Sequence, residues 1–484
     1  MIICWSTSQA GLDSDSQMIA AKSAGRCTQF DNLPVSRGKK APDMIVTAMQ
    51  PGTTYYLRAA GYLGWNNSID ADKSNVIRMT TKANPAVTIS NEHPRLMITS
   101  AQIDQLKSRY NAGDSRTLYW FNKLKAGVDS ALAGSAWSPS SYANGSAILW
   151  HISGDTKYLN GALSFLETQL TAYKARPTNN AYRGAASELA YLTDLLWNQL
   201  TPSKRQEILD AMLATDEVSQ NLRPQFGNTD QYIANTQVIL SHGLLFLGDT
   251  TITANSKSRL QTLFDIGMRR WYGEMQVKMR RANGHYGLAG GGLDDGADYM
   301  RGTQHHWVEI LHFMENSGFS QSQYAPWVWN NVRSNNIYNA MPDLKHVMTY
   351  GDIEAGDLVN RMVPSVHNYQ GWSSDSVKLC LMNRYGRAKE ASYLRELLLV
   401  SREMTDNRQP DHVWGLLCDS DAIGRSPLSE LPTAYLDQGF GMLYDRTNWS
   451  SNAAHLFFSA GYRTGIDHAH NDAGHISQIG RAHV

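Results

Sequence analysis

The sequence predicts a multidomain α+β chain: a β module, a long helical domain, then a second β domain. Three observations carry this. The apolar pattern is short and strand-like up to about residue 82, helical from about 95 to 425, and alternating again after that. The helical stretch shows no βαβ alternation. And 484 residues exceed what one typical domain needs.

Residues 1–82 read as β. "TTYYLRAAGYLGWNN" is rich in aromatic and β-branched residues, and "SNVIRMTTK" is a second short strand. "KANPAVTISNEHP" reads as a linker. In the helical domain, 83–428, "SELAYLTDLLWNQL" places Leu189, Leu192, Leu196 and Leu200 on one face. Thr201 and Pro202 open the next helix as cap and first turn. "VILSHGLLFLGD" is apolar nearly all round, so that helix is buried and Gly248 ends it. Trp307, Ile310, Leu311 and Met314 form a further stripe, and "SYLRELLLVSREM" another. Helix hairpins in such a row suggest a toroid or solenoid of helix pairs. After "SPLSELPTAYLDQG", the stretches "GFGMLYDRT" and "NAAHLFFSAGYR" read as strands of a domain spanning 429–484.

Composition narrows the function classes. Lys plus Arg and Asp plus Glu both number 44, so global steering of a polyanion is not supported, and neither nucleic acid nor a membrane is expected as a partner. No apolar run approaches the length of a membrane span. The opening "MIICWSTSQAGLDSDS" is not a signal peptide. Cys4, Cys27, Cys380 and Cys418 are far apart and read as neither a zinc pattern nor a disulfide framework. The 13 Trp and 23 Tyr fit a carbohydrate protein, since aromatic rings stack on sugars, although core packing explains any single one.

The strongest chemical motif is "DHAHNDAGH". His468, His470 and Asp472 are spaced by two, so an extended backbone points all three to one face. Such spacing builds a metal or acid–base site; a polar loop that caps backbone groups is the plainer alternative. "NGHYGLAGGGLDDG" is Gly-rich without the Lys-Ser or Lys-Thr of a P-loop, and reads as a mobile loop over a cleft or as a flexible linkage.

"DHAHNDAGH" resembles the His-x-His-x-Asp-x-Gly segment of heparinase II/III-like polysaccharide lyases. "HPRLMITSAQIDQLKSRY" resembles that family's "HPRL" entry helix, and "LDQGFGMLYDRTNWSSNAAHLFFSAGYRTGIDHAHNDAG" the start of its C-terminal sandwich. "MQPGTTYYLRAAGY" resembles the end of a fibronectin type III module, and "ICWSTS" an early strand of one. The resemblance implies a small β-sandwich module, an incomplete (α/α) toroid and the beginning of an antiparallel β-sandwich. It implies β-elimination at a uronic acid of an acidic polysaccharide, in a secreted or periplasmic protein, with no cofactor needed for the chemistry.

Three roles follow. A donor must neutralise the C6 carboxylate, which acidifies the C5 proton. A base must take that proton, and an acid must protonate the departing O4. His468 matches the family's catalytic histidine, and His470 the position that ligates a structural zinc in some members. "DDGADYMRGTQHHWVEILHF" resembles the stretch carrying the catalytic tyrosine: Tyr299 fits its first aromatic, and the usual tyrosine position falls on His305 or His306. Either Tyr299 is the acid or a histidine has replaced the tyrosine; an ordinary polar helix start is the plainer reading of the His pair. The carboxylate neutraliser maps to Gln231, with Asn235 one turn later on the same face; Asn228 or Asp230 reads as the helix cap.

The expected function is therefore a lyase acting on a glycosaminoglycan or alginate. The alternatives are a uronyl C5-epimerase of the same fold and a non-catalytic carbohydrate-binding protein. The last residues, "IGRAHV", match the translation of a common sequencing adapter. We therefore expect a truncated gene fragment in which Ile479–Val484 are not native and His483 carries no role.

Overall fold

A computed structural model of the chain describes residues 2–24, 26–29, 49–50, 52–63, 68–81, 88–134, 139–175, 182–222, 230–280, 287–293, 296–344, 347–348, 372–401, 410–460 and 474–480. The chain divides into two compact units: Met1–Ala86 with Met268–Val277, and Val87–Gly267 with Lys278–Val484.

The first unit holds β1 (Ile2–Ser6), α1 (Asp15–Ser23), β2 (Cys27–Gln29), β3 (Thr54–Leu63), β4 (Ser68–Lys73) and β5 (Ile77–Thr80). The strands form one antiparallel sheet in the order β2-β1-β3-β4, with β5 also on β3. The all-β expectation is corrected at α1. Ser14 and Gln17 form a capping box, and Met18 and Ala21 then pack with Ile2, Cys4, Leu12 and Ala60. A helical turn thus supplies the apolar cover for this part of the sheet. The cysteine reading is also corrected. Cys4 pairs with Cys27 and Cys380 with Cys418, so all four are in disulfides.

The second unit begins with α2 (Ser100–Asn111), α3 (Ser115–Leu132), α4 (Pro139–Ser153), α5 (Thr156–Ala175), α6 (Tyr182–Leu195), α7 (Pro202–Leu222), α8 (Asp230–Phe246) and α9 (Ala254–Arg270), whose last three residues, with the following stretch to Val277, are counted in the first unit. After a π turn at Trp271–Met275 come α10 (Gln276–Arg280), α11 (Gly296–Asn316) and α12 (Ala325–Val332), the last running into a second π turn, Arg333–Ile337. Next are α13 (Trp372–Arg384), α14 (Ala388–Val400) and α15 (Pro410–Cys418). Helix α4 packs on α6, α6 on α8, α8 on α11, α11 on α13 and α13 on α15, and α15 returns to α3 and α4. Helices α5, α7, α12 and α14 pack behind them. The predicted stripes are buried: Leu189, Leu192 and Leu196 on α6 and just beyond it, and Trp307, Ile310, Leu311 and Met314 on α11. Thr201 accepts from the Lys204 amide at the start of α7, as its cap. Among the described residues, no helix is long and apolar enough to cross a membrane.

The "HPRL" tetrapeptide is not helical; α2 starts at Ser100, behind a Thr99–Gln102 capping box. Instead the tetrapeptide binds Asp194 at the end of α6. Asp194 accepts from the amides of Arg95 and Leu96, both at 2.7 Å, and lies 2.6 Å from His93 Nδ1. The His93 ring stacks on Trp197 at 3.9 Å, and Arg95 Nη2 donates to the Leu245 carbonyl of α8 at 2.9 Å. One turn of chain thus fixes α6 against α8.

The C-terminal strands β6 (Ala434–Asp437), β7 (Met442–Arg446), β8 (His455–Ser459) and β9 (His475–Ile479) form an antiparallel sheet in chain order. Tyr435, Tyr444 and Phe457 are register partners on its buried face. The Gly-rich segment is built into this junction, which corrects the expectation of a mobile loop over its described part, 287–293. Tyr435 Oη donates to the Gly290 carbonyl at 2.6 Å. Asn331 and Asn335 donate to Gly291, and Trp327 to Leu288. Buried Asp437 accepts from the Gly292, Gly439 and Phe440 amides and from Ser334 Oγ. Glycine is required by this closeness: a Cβ on Gly290 would lie 2.0 Å from Asp437 Oδ1, and Gly291 sits at φ +93°.

Candidate active site

Helices α6, α8 and α11 bring six polar side chains together. Helix α6 supplies Glu188 and Tyr191, one turn apart, and α8 supplies the buried amide of Gln237. Helix α11 supplies His305, His306 and Glu309, with His305 and Glu309 one turn apart on the same face. Gln304, which precedes the His pair, is anchored by the fully buried Lys378 of α13. The Lys378 ammonium donates to Gln304 Oε1 at 2.9 Å, Asn336 Oδ1 at 2.8 Å and Asp375 Oδ1 at 3.0 Å.

Glu309 is the hub. Its Oε2 accepts from Tyr191 Oη at 2.8 Å and from Gln237 Nε2. Its Oε1 lies 3.2 Å from His305 Nε2. The other end of the Gln237 amide, Oε1, meets His306 Nδ1. The two imidazoles are 5.6 Å apart between ring centres.

Burial sets the proton balance. The Glu309 carboxyl is pushed up to about 8 by desolvation, against the downward pull of its Tyr191 and Gln237 donors. Glu188 rises to about 7 through burial and then the neighbouring Glu309 charge. Burial drives His305 down to about 4 and holds the Tyr191 phenol well above its ordinary range. Burial thus favours the neutral acid at Glu309, whose Oε1 faces His305 Nε2. The arrangement combines a carboxyl group and two imidazoles, which can hold or pass a proton, with an amide that links one imidazole to the carboxyl by hydrogen bonds.

The predicted residues are divided by the structure. His305 and His306 are in the cluster. Gln231 lies in the first turn of α8, partly exposed, with Oε1 buried and accepting no hydrogen bond among the described residues. Asn235 is one turn further and buried. The amide that α8 gives the cluster is instead Gln237, which in the sequence is only one of several polar residues in the first half of that helix. Tyr299 falls in the first turn of α11, and its side chain is outside the described residues. His468, His470, Asp472, Asn228 and His483 are outside them as well. Sequence reasoning passed over Glu309, although the spacing in "HHWVE" shows it, and over Glu188 and Tyr191 within the leucine stripe. Among the described residues, no group of three or more His, Cys, Asp or Glu is placed to hold a metal ion. The zinc expectation rests on His470, outside them.

No family model matches the chain, and no curated protein matches it. Solved structures do. The chain is similar to "Crystal Structure of Heparinase III", at 13% identity and a TM-score of 0.42, over 70% of this chain and 48% of that one. It is similar to the heparan sulfate lyase HepC from Pedobacter heparinus and to a mutant of it, each at 13% identity and a TM-score of 0.39, over 80% of this chain and 63% of the other. Heparinase-type lyases, the family that "HPRL" and "DHAHNDAGH" resemble, are by name among these structures. The chain spans between about half and just under two thirds of the length of these proteins.

Proposed function

We propose that the second unit is a polysaccharide lyase that cleaves an acidic, uronic-acid-containing polysaccharide by β-elimination. The observation that carries this reading is the hub in which the buried Glu309 and Gln237 meet the part-buried imidazoles of His305 and His306, on α8 and α11. His306 takes the C5 proton, electrons move to form the C4–C5 double bond, the C4–O4 bond breaks, and O4 leaves with a proton. Gln231 or Asn235, amides at the start of α8, neutralise the C6 carboxylate so that the C5 proton can leave. Tyr299 or His468 supplies the proton to O4. A glycosaminoglycan or alginate is the substrate class. The closed succession of helix contacts supports a toroid, and the N-terminal sheet is read as a fibronectin-like module. Two disulfides support folding in an oxidising compartment, in keeping with secretion or the periplasm.

The test is incubation of the full chain with heparan sulfate, chondroitin sulfate, hyaluronan and alginate, followed by ultraviolet absorbance of the conjugated product. A rise with one polymer, lost in His306→Ala, supports the reading. Exchange of C5 hydrogen with solvent without cleavage would assign an epimerase instead, and silence in both assays would leave a binding protein. His468→Ala and Tyr299→Phe then separate the candidates for the acid.

A further inference from the structure

The Gln237 amide has one end that donates and one that accepts, and its neighbours decide which end faces which. Glu309 Oε2 already takes the Tyr191 hydroxyl at 2.8 Å. That phenol keeps its proton, so Oε2 is an acceptor. When Glu309 carries a proton, the proton lies on Oε1, toward His305 Nε2 at 3.2 Å. Oε2 therefore accepts in either state, and Gln237 must offer it Nε2–H. Reversing the amide would set two acceptor oxygens against each other in a buried place, leaving an unmade hydrogen bond on each. With the amide so placed, Gln237 Oε1 faces His306 Nδ1 and can only accept. The Nδ1 atom must carry hydrogen, and in a neutral imidazole the lone pair then belongs to Nε2.

We infer that Glu309 and Gln237 are positioning residues that hold His306 in the Nδ1–H tautomer, so that Nε2 is its basic atom. Tyr191 belongs to the same device, because its hydroxyl fixes the sense of the chain of hydrogen bonds. The device resembles a carboxylate orienting an imidazole directly, with an amide inserted between them. It keeps the Glu309 carboxyl one side chain away from His306. The assignment of Nε2 as the atom that takes the C5 proton rests on the lyase reading; the tautomer itself does not.

The experiment is nuclear magnetic resonance of the full chain labelled with 15N-histidine, in which the coupling pattern of the ring nitrogens distinguishes the two tautomers. The His306 signals are those that disappear in His306→Gln. Wild-type protein should show Nδ1–H at His306. Gln237→Leu and Glu309→Leu should move it toward the Nε2–H form that a free histidine side chain prefers in water, whereas Glu309→Gln, which still offers an acceptor oxygen, should keep Nδ1–H. An Nε2–H imidazole in the wild type overturns the inference. So does an unchanged Nδ1–H pattern in both leucine variants while they unfold cooperatively. Should the leucine variants not fold, the wild-type tautomer decides alone. No substrate is involved, so a silent polymer panel beside an Nδ1–H imidazole removes only the lyase reading, and cleavage by a protein with Nε2–H removes only this one.

Discussion

Asp437 and Glu309 are both buried carboxyl groups in the second unit, and they are built in opposite ways. Asp437 accepts from three backbone amides and one hydroxyl, all in fixed loops and turns around the Gly-rich segment. None of those donors gives up its proton, so the group works as a joint between α12, the loop and the C-terminal sheet. Glu309 has two donors on one oxygen and an imidazole at the other. Burial is less fully offset there, and its neighbour can exchange a proton with it. A carboxyl fixed by backbone donors serves as scaffold; one left to share protons with side chains is a candidate for chemistry.

That contrast can be broken by substitution. The largest effect should fall on the chemistry: His306→Ala lowers kcat by about 10²–10⁴-fold, with a melting temperature near wild type. A fall in melting temperature that accounts for the lost activity would turn the hub into scaffold. Asp437→Ala strands four donors, three of them buried, and should cost about 3–5 kcal/mol in urea unfolding, with kcat per folded molecule little changed. Replacing Cys380 and Cys418 together by Ser should cost about 3 kcal/mol by the same assay, without touching either carboxyl. Gly291→Ala forces a side chain into a backbone conformation at φ +93° and against Asn330, and should cost about 2 kcal/mol.

The smallest effect is the pH dependence, and it separates the two carboxyls further. Glu309 rises from 4.5 to about 8 on folding and Glu188 to about 7, so over that interval the folded state binds more protons and stability falls as pH rises. His305, His312, His412 and His455, lowered from 6.5 to about 4, act in the opposite sense between those values. The net expectation is a decline in the urea midpoint from about pH 6.5 to 8. Glu309→Gln should flatten it, and a variant declining as steeply as wild type would remove Glu309 as its source.

The fold was largely legible because helix stripes and strand alternation are local signals: the α6, α8 and α11 patterns each lie within a few turns. The capping box at Ser14 was legible in principle, yet a short helix between strands is easily absorbed into a β reading. The site was legible only in part. His305 and His306 stand out in one helix, but Tyr191 lies 118 residues from Glu309 and Gln237 lies 69 from His306. Nothing in a single helix says which polar residue of another will meet it. The disulfides were missed for the same reason. Cys4 and Cys27 become neighbours through the β1–β2 register, and Cys380 and Cys418 through the packing of α13 on α15.

The second of those bridges has a consequence for a cut chain. It encloses every peptide bond between residues 380 and 418, including all of α14. A protease that nicks this interval does not release a fragment: both pieces stay covalently one molecule, with α13 and α15 still side by side. Such a nicked protein runs at full length on a non-reducing gel and separates into two bands only after reduction.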